Sequence, residues 1–136
     1  MPHTTKISTL WIVVMFNMAF ADILSFMYPG FLTQVQTGTI EGVTITPAFL
    51  LIAAVFVEIP IAMIFLSRVL APTALRWTNI VAASVTALFI ILGGSLTPHY
   101  IFFASIEVLA LIYIAKLAWS LPGTPRAQRG AGEMPT

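Results

Sequence analysis

The sequence predicts an all-α fold: a polytopic membrane protein built as a four-helix transmembrane bundle, with both termini on the cytoplasmic side. Three observations predict it. The 136 residues are 59% hydrophobic and only 8% charged, with a mean hydropathy of +0.99, whereas soluble domains are about 25% charged and about 45–50% apolar. Four stretches reach the roughly 20 apolar residues that a bilayer core about 30 Å thick requires. The basic residues gather at alternate ends of those stretches. A soluble chain of this length would leave large apolar patches in water, and a disordered one would be poor in apolar residues and rich in charge.

The first span covers residues 10–28 and stops at Pro29-Gly30. Residues 31–46, rich in Thr, Gln and Gly, read as a polar loop. The second span covers residues 47–70, where Thr46 can cap the helix and Pro47 fits its first turn. The third covers residues 76–95, and Gly93-Gly94 near its end reads as a packing notch or a frayed terminus. The fourth covers residues 98–119, with Thr97-Pro98 repeating the cap-then-proline start, and ends before Pro122-Gly123. Residues 1–120 thus form one transmembrane domain, and residues 121–136, rich in Pro, Gly and Arg, read as a disordered cytoplasmic tail. Ala19-Phe20-Ala21 resembles a signal-peptide cleavage site, but the apolar run continues through residues 23–27, so the first span is expected to be retained.

Lys6 precedes the first span, Arg68 and Arg76 flank the turn between the second and third, and Lys116, Arg126 and Arg129 close the fourth. The other two loops hold no Lys or Arg. The positive-inside rule therefore puts both termini in the cytoplasm, and Trp11, Trp77 and Trp119 fall at the same predicted interface, where amphipathic indoles settle.

Several function classes drop out. A net charge of +1 with scattered basic residues leaves no phosphate-tracking stripe, so no nucleic acid is expected as a partner. Without cysteine there is no disulfide, thiolate nucleophile or Cys-based metal site. No Gly-rich phosphate loop, zinc-protease His pair or Gly-x-Ser-x-Gly elbow occurs. No cofactor is implied, and metal binding is left open.

Three of the five acids fall inside spans: Asp22, Glu58 and Glu107. At 1.5 Å per residue they lie about 9, 16 and 13 Å from the outer ends of their helices. Intramembrane ionisable groups usually face the bundle interior and mark functional sites. No Lys or Arg shares this depth, so a proton, a cation, an amine or water is expected between the acids; the plainer reading is three protonated acids bonding neighbouring helices. Met18, Asp22 and Ser25 share a face of the first span, Ala54, Glu58 and Ala62 of the second, and Tyr100 and Glu107 of the fourth. Asn79, Ala83 and Thr86 make a mildly polar stripe on the third. Asn17 sits about 140° around the first helix from Asp22 and is expected to serve a different neighbour or a second subunit. Pro60, two residues after Glu58, should kink the second span. His99 lies at the outer mouth, where it could relay protons.

Ser8-Thr9-Leu10-Trp11-Ile12, Glu58-Ile59-Pro60-Ile61-Ala62-Met63 running on to Leu66-Ser67-Arg68-Val69-Leu70, Arg76-Trp77-Thr78-Asn79-Ile80, and Tyr100-Ile101-Phe102-Phe103 with Ile106-Glu107 resemble a prokaryotic family of small four-helix membrane proteins catalogued as a domain of unknown function. The resemblance covers about residues 8–119. It implies the same four spans, an uncleaved first span and a multi-pass location in a prokaryotic inner or plasma membrane, and it supplies no substrate. A looser likeness to DoxX-like four-helix proteins is one of architecture only.

The leading expectation is a transporter or channel-like protein that binds protons, a cation or a small cationic ligand. Glu58 would be the central acceptor, with Asp22, Glu107, Asn17 and Tyr100 beside it and Pro60 and His99 as structural or gating residues. Four spans are few for a complete pathway, so a homodimer or larger membrane complex is expected alongside the lipid bilayer as partner. The second expectation is an enzyme moving a proton on a lipid-like substrate in an apolar pocket around Glu58 and Glu107. The third is a non-catalytic subunit whose acids pair with a partner's basic helices.

Overall fold

A computed structural model of the chain describes residues 2–40 and 42–121. Nearly all of the proposed tail therefore lies outside the described residues. The elements run α1 (His3–Phe26), α2 (Phe31–Thr37), β1 (Thr39–Ile40), β2 (Val43–Thr44), α3 (Pro47–Val69), α4 (Pro72–Gly93) and α5 (Pro98–Trp119). The fold is helical, and four of its five helices are long and apolar enough to cross a membrane. At 1.5 Å per residue each is about 33–36 Å long.

Turns of two and four residues make α3, α4 and α5 successively antiparallel, while α1 joins α3 through the longer stretch that holds α2 and the two strands. Helix α1 packs on α3 and α5, and α4 packs on the same two, so α1 lies diagonally across from α4. The core concentrates at the end that carries the chain termini, around Ile7, Trp11, Leu75, Ile114 and Ala118. The other half of the bundle is looser. Between Pro47 and Phe56 of α3 only Ala53 is even partly buried, and the stacking of Phe56 on Phe89, 5.4 Å between ring centroids, ties this stretch to α4.

Four details depart from the sequence expectation. Helix α1 starts at His3, seven residues ahead of the apolar run, because Ile7 and Ser8 are both fully buried and the Ser8 hydroxyl donates to the Ile64 carbonyl at 2.8 Å. Helix α4 starts at Pro72 rather than at residue 76, since proline suits a first helical turn. The stretch read as loop holds α2 and a hairpin pairing Thr39 with Thr44 and Ile40 with Val43. Positive φ at Gly38 and Gly42 allows the two reversals. Finally, Thr46 caps α3 by accepting from the Phe49 N–H at 3.1 Å, whereas the matching Thr97 makes no cap and pairs its hydroxyl with Ser95 at 2.9 Å.

The tryptophans also divide. Trp77 and Trp119 are exposed and meet edge-to-face at 6.0 Å, with the Arg76 guanidinium 3.9 Å from the Trp119 ring. Trp11, expected at the interface with them, is instead wholly buried, because Asn79 satisfies its indole N–H inside the bundle.

Candidate functional site

Helix periodicity aims each polar side chain. Asp22 follows the buried Trp11 by three turns, about 20° away around α1, so it lies on the bundle-facing side. It is nonetheless exposed, because the loose half of α3 leaves this end of the bundle open. One turn on, the Ser25 hydroxyl donates to the Ala21 carbonyl at 2.8 Å and lies 3.0 Å from His99 Nε2. Its one proton being used, His99 Nε2–H is the donor to Ser25 Oγ. That bond, with the His99 ring 6.1 Å from Tyr28, ties the end of α1 to the start of α5.

On α5, Tyr100 and Glu107 are two turns apart on one face. Glu107 is 2% exposed, and its Oε1 has no hydrogen-bond partner. The Tyr100 ring fills a notch left by Gly94: a Cβ there would lie 2.6 Å from Tyr100 Cε1. Gly94 is thus a packing notch. The Tyr100 hydroxyl points at the Ile90 carbonyl, 3.5 Å away, a distance too long for a strong bond. Glu107, Asp22 and Tyr100 lie within electrostatic range of one another. These three sequence-expected residues share the half of the bundle away from the termini, on α1 and α5.

Thr86 of α4 joins them. It is buried, and its Oγ1 lacks a partner. Tyr100 beside Gly94 and Trp119 beside Trp77 set the antiparallel register of α4 and α5, which puts Thr86 within about one turn of the level of Glu107. Two orphan oxygens, a carboxyl and a hydroxyl, therefore occupy adjoining helices in the bundle interior. Thr86 was legible in the sequence as part of the polar stripe of α4, but no ionisable group marked it.

The expected meeting of three acids does not occur. Glu58 precedes the buried Ser67 by nine residues, half a turn out of phase, so it points about 180° away from the bundle. Pro60, Met63 and Ser67 form the inward side of α3, and Glu58 is exposed on the other. Helix α3 runs unbroken through Pro60, whose ring is buried. Asn17 stands apart as well, its amide donating to the Val13 carbonyl of its own helix at 2.8 Å. Among the described residues no group of three His, Asp or Glu side chains is placed to hold a metal ion.

Toward the termini end lies a second polar cluster that sequence reasoning missed. The Trp11 indole N–H donates to Asn79 Oδ1 at 2.7 Å, Ser67 Oγ approaches the same oxygen at 3.5 Å, and Asn79 Nδ2 donates to the Leu75 carbonyl at 2.9 Å. Trp11 and Asn79 are paired by short bonds and Ser67 adds a long, weak one, which marks the cluster as a structural lock. Between α3 and α4 an open apolar groove of about 450 Å³ is lined by Ile59, Trp77, Thr78, Val81, Ala82 and Val85, and none of the three acids borders it.

The architecture is thus that of a small helical bundle with four helices fit to cross a membrane, holding a buried, incompletely satisfied acid. The chain belongs to the family of unknown function DUF6326, whose model matches residues 3–123 and so takes in the whole bundle. No curated protein and no solved structure matches it.

Proposed function

We propose that the protein is a multi-pass protein of a prokaryotic plasma membrane, with both termini cytoplasmic, and that it acts as a transporter or channel-like protein through an acidic site at Asp22 and Glu107. The site takes a proton or a small cation from the end opposite the termini. The observation that carries this reading is the Oε1 of Glu107, sealed inside the bundle without a donor. A buried polar atom left unpaired costs about 1–3 kcal/mol, and a stable fold tolerates that where a ligand supplies the missing partner. Asp22, exposed on the inward face at the open end, is placed to meet a cation first. Tyr100 and Thr86 add neutral oxygens to the path, and His99, held by Ser25, stands at the mouth.

The apolar groove between α3 and α4 does not border the acids and so lends no support to an enzyme working on a lipid-like substrate around them. The transport reading is tested in proteoliposomes carrying the full chain and an internal pH or cation reporter. Ion flux is expected to fall at least about tenfold in Glu107→Gln and measurably in Asp22→Asn, while Asn17→Leu stays near wild type; a 1.4 kcal/mol loss in a barrier or affinity is a factor of ten. Unchanged flux in Glu107→Gln would remove the proposal.

A further inference from the structure

Glu58 poses a separate question. It lies about 16 Å down α3 from Pro47, close to the hydrocarbon midplane if the helix spans a bilayer. It points directly away from the other three helices. Lipid satisfies an apolar helix face, so the exposed leucines and phenylalanines around it need no cover. A carboxyl facing acyl chains does, since ionisable groups at that depth are costly unless protein surrounds them.

The neighbours of Glu58 have a definite spacing. Leu51, Val55, Glu58, Ala62, Phe65 and Val69 follow one another by alternating steps of four and three, the 3.5-residue period of a seam between paired helices. Leu51 and Phe65, seven residues to either side of the acid, are each 66% exposed. Ala54 and Ala62, one turn to either side, let a second backbone approach closely.

We infer that a second copy of this chain covers this face, α3 against α3 about a two-fold axis, so that Glu58 meets the partner's Glu58. A symmetric interface uses the same patch twice. Two neutral carboxyls facing across the axis can pair reciprocally, the O–H of each donating to the carbonyl oxygen of the other, which leaves no charge in the hydrocarbon. Each then has a partner with no basic group needed. That matters because all six Lys and Arg of the chain lie at or beyond the helix ends, and a second copy brings all that the face requires. A lone polar residue within an apolar seam also fixes register and partner number. The dimer rests on the membrane placement proposed above, not on the Glu107 site.

The absence of native cysteine makes the test direct. Single-cysteine variants Leu51→Cys, Phe65→Cys and, on the exposed side of α5, Leu109→Cys are reconstituted as full chains in dilute lipid vesicles and oxidised with copper phenanthroline. The first two are expected to cross-link to dimers at least about tenfold more than the third. Single-molecule photobleaching then measures the dimer dissociation constant. Glu58→Leu is expected to raise it roughly 3–30-fold, the range of interhelical hydrogen bonds in membranes, and Glu58→Gln by less than about threefold. Glu107→Gln is expected to leave it unchanged, so loss of flux and loss of dimer are separable. Monomers, cross-linking equal at Leu109→Cys, a dimer indifferent to Glu58→Leu, or cross-linking of the α3 variants in native membranes to a different protein would each overturn the inference.

Discussion

Trp11 and Asn79 sit on helices that face each other diagonally, and a single hydrogen bond of 2.7 Å from the indole N–H to Oδ1 joins them through the middle of the bundle. The same oxygen receives Ser67 from α3, so three helices converge on one amide. Removing Asn79 would strand a buried donor. Asn79→Ala is therefore expected to destabilise the protein by about 2–4 kcal/mol, combining the orphaned N–H with a small cavity. Trp11→Phe should cost less, and a double-mutant cycle between the two should return a coupling of about 0.5–1.5 kcal/mol. Reversible unfolding in mixed micelles measures all three.

Glu107 makes the opposite prediction. Replacing an unsatisfied buried carboxyl by an apolar side chain of similar size removes a penalty rather than a contact. Glu107→Met is expected to raise stability by about 1–3 kcal/mol in the same unfolding assay while abolishing flux. A destabilised Glu107→Met would mean that the carboxyl is already satisfied in the folded protein.

The two adjacent glycines at the end of α4 should behave differently. A methyl on Gly94 would collide with the Tyr100 ring at 2.6 Å and the Ile90 carbonyl at 2.9 Å, while one on Gly93 meets open space. Gly94→Ala should cost about 1–3 kcal/mol by overpacking and shift Tyr100 away from the site. Gly93→Ala should stay within about 0.5 kcal/mol of wild type. Thermal unfolding compares the pair, and tyrosine fluorescence or a Tyr100→Leu background identifies the ring as the cause.

Thr46 and Thr97 precede proline in the same way, yet only Thr46 binds a backbone N–H. Thr46→Ala is expected to cost about 1 kcal/mol, the usual worth of an N-cap. Thr97→Ala should lose under about 0.5 kcal/mol, since its partner Ser95 stands outside the helix. Unfolding free energies of the two single variants decide it.

Much of the fold was legible along the chain. The spans of α3 and α5 came within one residue of their observed ends, because Thr46-Pro47 and Thr97-Pro98 start them and the apolar runs stop cleanly. The start of α1 was not legible: Thr4, Thr5 and Lys6 look like solvent residues until Ile7 and Ser8 find α3. The hairpin escaped because two-residue strands carry no alternation long enough to read. In the site, Tyr100 and Glu107 were found from their shared face. Thr86 was missed as a site residue because a hydroxyl in an apolar helix is ordinary until its partners are counted.

The sequence alone determined that four apolar helices exist, where they end and, α1 apart, where they begin within a few residues, and which side chains share a face of each. Run length and proline position are local, and they need no neighbour to be read. Which face turns inward was decided only by the tertiary structure. In a soluble helix the polar side announces the exterior, but a helix apolar all round gives no such sign. Glu58 and Glu107 are alike in type, depth and surroundings along the chain. Packing on Pro60, Met63 and Ser67 turns Glu58 outward, and packing around Ala110, Leu111 and Ile114 seals Glu107 within.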